Sequence, residues 1–246
     1  MKSIKVFILL TIMASQLYFA PDVMAQAGLN DNQALDARYQ SIVTISSFTA
    51  KGELKGLKKA LNDGLAAGLS INEIKEVIVH LYAYCGFPRS IRGLQSFMSV
   101  LDERKSKGIT DKVGREATPI KDTGSKFERG KKVLEALTGQ PQIEARAGYA
   151  AFSPEIEVFL KEHLFADIFE RDILSYTDRE LATVSALVNL GGVEPMMQSH
   201  MGIALHLGIT ESQLKHLLSL IEMNVGKKEA EAGRQVLSNV MNSRRK

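Results

Sequence analysis

ALNDGLAAGLSINEIKEVIVHLYAYCGFPRS, residues 60–90, decides how this chain is read, because its punctuation returns at residues 200–230 as HMGIALHLGITESQLKHLLSLIEMNVGKKEA. A gapless shift of 140 residues lays Leu65 on Leu205, Gly68 on Gly208, Lys75 on Lys215 and Gly86 on Gly226. The register continues through Gly93 on Gly233 and Gln95 on Gln235. In each copy a glycine closes one helix and a capping box opens the next, Ser70 with Glu73 and Thr210 with Gln213. An internal duplication of a helical unit follows, and each unit can bury its apolar face only against its twin. The predicted fold class is all-α, a duplicated, pseudo-symmetric helical bundle.

Elsewhere apolar residues recur at spacings of three and four, and no alternating, strand-like run of useful length occurs. The pattern predicts helices over 31–49, 53–67, 71–85 and 88–105, then 126–137, 154–162, 178–190, 194–207, 211–224 and 227–242. Gly108, Gly114, Pro119 and Gly124 mark 106–125 as a linker between a first repeat, 26–105, and a second, 126–246.

The 246 residues are 45% hydrophobic and 24% charged, which suits a soluble globular protein. The net charge of +3 is spread along the chain and tryptophan is absent, so nothing points to a nucleic-acid partner. Lys2 and Lys5 precede the apolar run VFILLTIMA, residues 6–14, and small residues follow up to Ala25. Residues 1–25 therefore read as a secretory signal peptide, and the mature protein as periplasmic or secreted, with no membrane association after cleavage. A retained N-terminal anchor is the competing reading. Cys85 is the single cysteine, so no intramolecular disulfide forms; it is either a buried filler or a lone reactive thiol.

The copies differ where chemistry is concerned. Ile74, Val77, Ile78, Leu81 and Cys85 form the packing stripe of the predicted third helix, matched by Leu214, Leu217, Leu218, Ile221 and Val225. On the flank of that stripe lie Glu73, Glu76, His80 and Tyr84, whose counterparts are Gln213, His216, Leu220 and Asn224. Glu76 and His80 alone would be an ordinary surface pair, but with Tyr84 they form a run of proton-handling groups. That run leads into a turn where Gly86 closes the helix, Pro88 starts the next, and Arg89 brings a guanidinium to its free N–H groups. A small acidic molecule is the ligand such a turn suits. A glutamate beside His80 would hold its tautomer and raise its pKa. From the second copy His200 replaces Ala60, which suggests a composite site. Arg179 and Glu180 read as salt-bridge residues and Met196, Met197 and Met201 as packing residues. His163, His206 and His216 do not make a metal set, so no metal is predicted.

These elements resemble the carboxymuconolactone decarboxylase family, which is similar in fold to alkyl hydroperoxidase D. The resemblance rests on the Gly68 helix end with its Ser70 to Glu73 cap, and on Glu76, His80 and Tyr84 leading into Gly86-Phe87-Pro88. In the second copy it rests on FERGKKVLEALTG (127–139), on LSYTDRELATVSALVNLGG (174–192), and on His200 eight residues before Gly208. It implies a homo-oligomer, trimer or hexamer, and a decarboxylase branch that uses no cofactor. On that scheme a small carboxylated lactone would place its carboxylate on Arg89 and its oxyanion on Tyr84 or His80, with His200 or Glu76 handling the proton. The family's other branch, a thiol peroxidase, uses a Cys-x-x-Cys pair that this sequence lacks. Cys85 acting alone as a peroxiredoxin-like thiol is thus one alternative, and a non-catalytic oligomeric binding module is the other.

Overall fold

The computed structural model describes residues 34–142 and 147–245. The predicted signal peptide and the start of the first predicted helix lie outside them. Helix α1 (Ala37–Lys51) is capped by the Asp36 side chain and closed by Gly52 at φ 72°. Then come α2 (Leu54–Ala66) and α3 (Ile71–Ser106), which Gly86 divides. Gly86 has φ 81° and ψ 160°, a region essentially confined to glycine, and Pro88 begins the second helical stretch. The sequence expectation of two helices meeting at this turn therefore describes the backbone well.

The second half contains α4 (Lys126–Thr138), α5 (Gly148–Phe152) and α6 (Pro154–Phe159), which runs on as a π-helix over Leu160–Phe169. It ends with α7 (Tyr176–Leu190), α8 (Glu194–His206), α9 (Glu211–Asn224) and α10 (Lys227–Arg244). The predicted helix at 154–162 extends to Phe169 because Leu164, Phe165, Ile168 and Phe169 bury against Val133 and Leu137 of α4 in a small satellite core. Gly130 permits that approach, since a Cβ there would stand 1.8 Å from the Lys161 carbonyl oxygen.

Helices α1 and α7 pack on each other at the centre of the molecule. Each also crosses to the other copy, α7 onto α3 and α1 onto α9. One contiguous core joins both halves, including Ile42, Ile45, Ile74, Val77, Ile78 and Leu81 from the first and Leu181, Val184, Leu214 and Leu218 from the second. Arg38 adds a polar tie by bridging Glu73 and Asp178, the third residues of two capping boxes in different copies.

The linker is a strap over the start of α3. The N–H groups of Ile71 and Asn72, free at a helix N-terminus, donate to the carbonyls of Lys112 and Val113, both at 2.9 Å. Asn72 also donates its side-chain amide to the Arg115 carbonyl at 3.1 Å. Gly114 sits at φ 84° with no room for a Cβ, which would come 2.3 Å from Ser70 Oγ. Helix α7 has the same kind of cap, Ser175 with Asp178. Its first two N–H groups, of Tyr176 and Thr177, have no hydrogen-bond partner among the described residues.

Candidate active site

The amphipathic period of α3 puts Glu76, His80 and Tyr84 one above another on the side that faces α7. The sequence makes this flank a boundary, but Glu76 is 2% and His80 0% exposed, because α7 of the other copy covers it. Helix α7 brings Arg179, Glu180 and Thr183, all fully buried, and α8 brings His200. The site is thus composite, built from both copies.

Glu76 is the acceptor for two guanidinium groups. Arg179 donates Nη2–H to Oε1 at 2.8 Å, and Arg171 donates through Nε and Nη2 at 2.9 Å each. This departs from the expectation that Glu76 partners His80. His80 instead accepts from Arg179 Nη1 at its Nδ1, 3.3 Å, which leaves the proton on Nε2 to be donated to Thr183 Oγ1 at 2.8 Å. Burial, the Arg179 charge and His200 hold the His80 pKa well below its ordinary value, the reverse of the expected rise. His80 is therefore a neutral, positioned imidazole.

A carboxylate–imidazole contact lies beside it. His200 Nδ1 lies 2.8 Å from Glu180 Oε2, with the Glu180 side chain sealed and the imidazole 14% exposed. Such a carboxylate orients the ring and leaves Nε2 as the nitrogen open to another partner. The His200 ring meets Tyr84 edge-on with centroids 5.6 Å apart, and Tyr84 lies 5.2 Å from His80. The Tyr84 ring is partly exposed but its hydroxyl end is sealed, and burial, reinforced by Glu180, pushes the phenol far above its ordinary pKa. It remains a hydrogen-bond donor across the physiological range.

Three sealed polar atoms of this cluster have no partner in hydrogen-bonding geometry among the described residues: Tyr84 Oη, which has Thr183 as its neighbour, Glu180 Oε1 and Arg179 Nε. An unpaired buried group costs about 1–3 kcal/mol, so three in one cluster mark a place suited to a bound polar molecule. Two donors and one acceptor match a carbonyl or carboxylate beside an exchangeable proton.

The remaining predicted residues are placed apart from this cluster. Arg89 is exposed, and its guanidinium lies against Gly52, the C-cap of α1, where a cation meets the helix dipole favourably. Gly86 and Pro88 shape the α3 break. Cys85 packs against the main core, its thiol donates to the Leu81 carbonyl, and burial pushes its pKa up. Of the three methionines, Met197 and Met201 are buried, whereas Met196 is exposed.

The sequence alone does not single out Arg171 and Thr183, and it presents Arg179 and Glu180 only as salt-bridge residues. A signal exists for the last three: they are polar residues inside a helix whose every position from Asp178 to Asn189 is buried. Polar side chains on a helix that is buried all round need a reason to be there.

A duplicated all-α bundle with a buried carboxylate–imidazole pair between its halves is thus the class of protein the fold defines. The model of the carboxymuconolactone decarboxylase family matches residues 19–97 and 154–239, one stretch in each half, and the chain belongs to that family. A search of curated proteins finds no significant match.

Proposed function

We propose that this protein is a cofactor-independent lyase or isomerase that acts on a small carboxylated, lactone-like molecule by acid–base chemistry. The observation that carries this reading is the Glu180–His200 pair set beside the sealed Tyr84 hydroxyl. In a decarboxylation the C–C bond to the carboxylate breaks, and its electron pair moves into the conjugated carbonyl to give an enolate. The Tyr84 O–H and Arg179 Nε–H would donate to the developing oxyanion in a site where burial strengthens both bonds. His200 would give its proton to the carbon and regain one from solvent through its exposed edge, while Glu180 steadies the imidazolium. An isomerisation uses the same groups, with His200 first taking a proton.

The alternative of a peroxidatic Cys85 meets a physical obstacle, since the nucleophile is the thiolate and burial favours the thiol. Turnover of a panel of unsaturated lactone carboxylic acids and of alkyl hydroperoxides, in deuterated water, separates the readings. Solvent deuterium in the lactone product, lost in His200→Ala and retained in Cys85→Ser, supports acid–base chemistry. Equal rates in wild type and His200→Ala would overturn it.

Export and homo-oligomerisation belong to the same proposal. Phe87, Ile91 and Met98 lie on one helical face and are each more than half exposed, which suits a contact between copies. Light scattering should give a trimer or hexamer, and a Phe87→Glu, Met98→Glu variant a smaller species. N-terminal sequencing of the mature protein should begin at Gln26.

A further inference from the structure

Most of the large apolar side chains that stand exposed among the described residues fall in two short stretches. One is the part of α3 beyond Gly86, with Phe87, Ile91 and Met98, and the other is α5 with α6, carrying Tyr149, Phe152, Ile156 and Phe159. Both follow the heptad spacing of a seam that receives another helix: Phe87, Ile91, Leu94 and Met98 at steps of four, three and four, the second set at steps of three, four and three. Phe152 is 92% exposed. Within the chain α5 and α6 pack on each other and on the π-helix, which leaves their seam open.

The two stretches are joined. The Phe87 ring stacks on Tyr82 at 4.5 Å between centroids, and Tyr82 meets His163, one turn beyond Phe159, at 5.6 Å. A grouped apolar surface of this kind marks a contact site. Charge then says what covers it. From 87 to 98 the charged side chains are Arg89 and Arg92, with no acid among them. From 147 to 159 they are Glu155 and Glu157, with no base. Arg89 turns to Gly52 and Glu157 pairs with Lys161, so the exposed rims are set by Arg92, which bonds Gln95, and by Glu155, which accepts from Ser153. Like faces laid together would repel, and unlike faces attract. Each chain carries both, so a second copy supplies the partner.

We propose that the α3 seam of one copy docks on the α5–α6 seam of another, with Arg92 facing Glu155 across the contact. The proposal rests on the homo-oligomer read above and names the surface that meets Phe87, Ile91 and Met98.

Cross-linking in a Cys85→Ser background tests the pairing. A chain with Ile91→Cys and a differently tagged chain with Ile156→Cys, co-expressed and treated with a short bismaleimide, should join to each other and neither to itself. Light scattering gives the second arm: Arg92→Glu should weaken assembly about tenfold, as should Glu155→Arg, and the two changes together should restore it. Both residues are exposed, so neither change disturbs the core. Ile91→Cys chains joined to each other, or no restoration in the double variant, would overturn this pairing while the oligomer itself stands. A wild-type chain that is monomeric at all concentrations would remove both. A monomer that sediments with phosphatidylcholine vesicles, and no longer does so as Phe152→Glu, would give the surface to lipid instead.

Discussion

The α3–α7 interface and the α9–α1 interface are the same junction built twice, and only one of them carries charges. Aligned on their N-caps, Asp36 and Ser175, and their closing glycines, Gly52 and Gly191, α1 and α7 set Gln40, Ser41 and Thr44 opposite Arg179, Glu180 and Thr183. The 140-residue shift sets His216, Leu220 and Asn224 opposite Glu76, His80 and Tyr84. In the plain junction, His216 Nδ1 accepts the Leu35 N–H and the Asn224 amide bonds the Leu220 carbonyl in its own helix. Each polar group there answers a local need. In the charged junction, groups reach across helices and three sealed atoms remain without a hydrogen bond among the described residues. The comparison separates what the bundle requires, an apolar seam at fixed spacing, from what chemistry adds.

Breaking the working junction should have its largest effect on turnover. His200→Ala or Glu180→Gln should lower kcat by about 10²–10⁴, whereas Ser41→Ala in the plain junction should leave kcat alone. Steady-state kinetics on the lactone panel checks this. Next comes stability: Arg179→Ala strands a buried Glu76 with one partner and should cost about 3–5 kcal/mol in urea unfolding. Gln40→Ala should cost well under that.

His80→Leu copies the plain junction and should cost about 1 kcal/mol at neutral pH through the lost Thr183 bond. The pH dependence has a definite sign. The folded pKa of His80 lies below its ordinary value of 6.5, so as pH falls through 6.5 the unfolded chain takes up the proton first and the native state loses stability. His80→Leu lacks that loss, and the gap between the two proteins should narrow in unfolding curves at pH 5. The most local effect concerns the strap: Gly114→Ala places a side chain at positive φ against Ser70 and should cost about 1–3 kcal/mol at the start of α3. Faster amide exchange at Ile71 and Asn72 would report it.

Most of the fold is legible in the sequence because helix periodicity, glycine closures and capping boxes are local signals, and the duplication repeats them. Glu76, His80, Tyr84 and His200 are legible for a related reason: comparing the copies removes what packing alone demands. What the comparison misses is reach. Nothing local shows that Glu76 turns from His80 to Arg179, nor that Arg171, just past the π-helix, returns to the same carboxylate. Arg89 misleads because a cation beside a helix start suits an anion, but its long side chain finds the C-terminus of α1 instead. The π-helix escapes notice since its extra residue per turn is set by packing onto Gly130 and its neighbours.

The linker has a consequence that no residue identity can change. A chain made of two copies has two equivalent helix starts but only one connecting segment, which must pass one start and miss the other. Closing Ile71 and Asn72 with Lys112 and Val113 therefore leaves the N–H groups of their counterparts, Glu211 and Ser212, without a hydrogen-bond partner among the described residues. The two ends were made unequal by topology alone, before any substitution distinguished them.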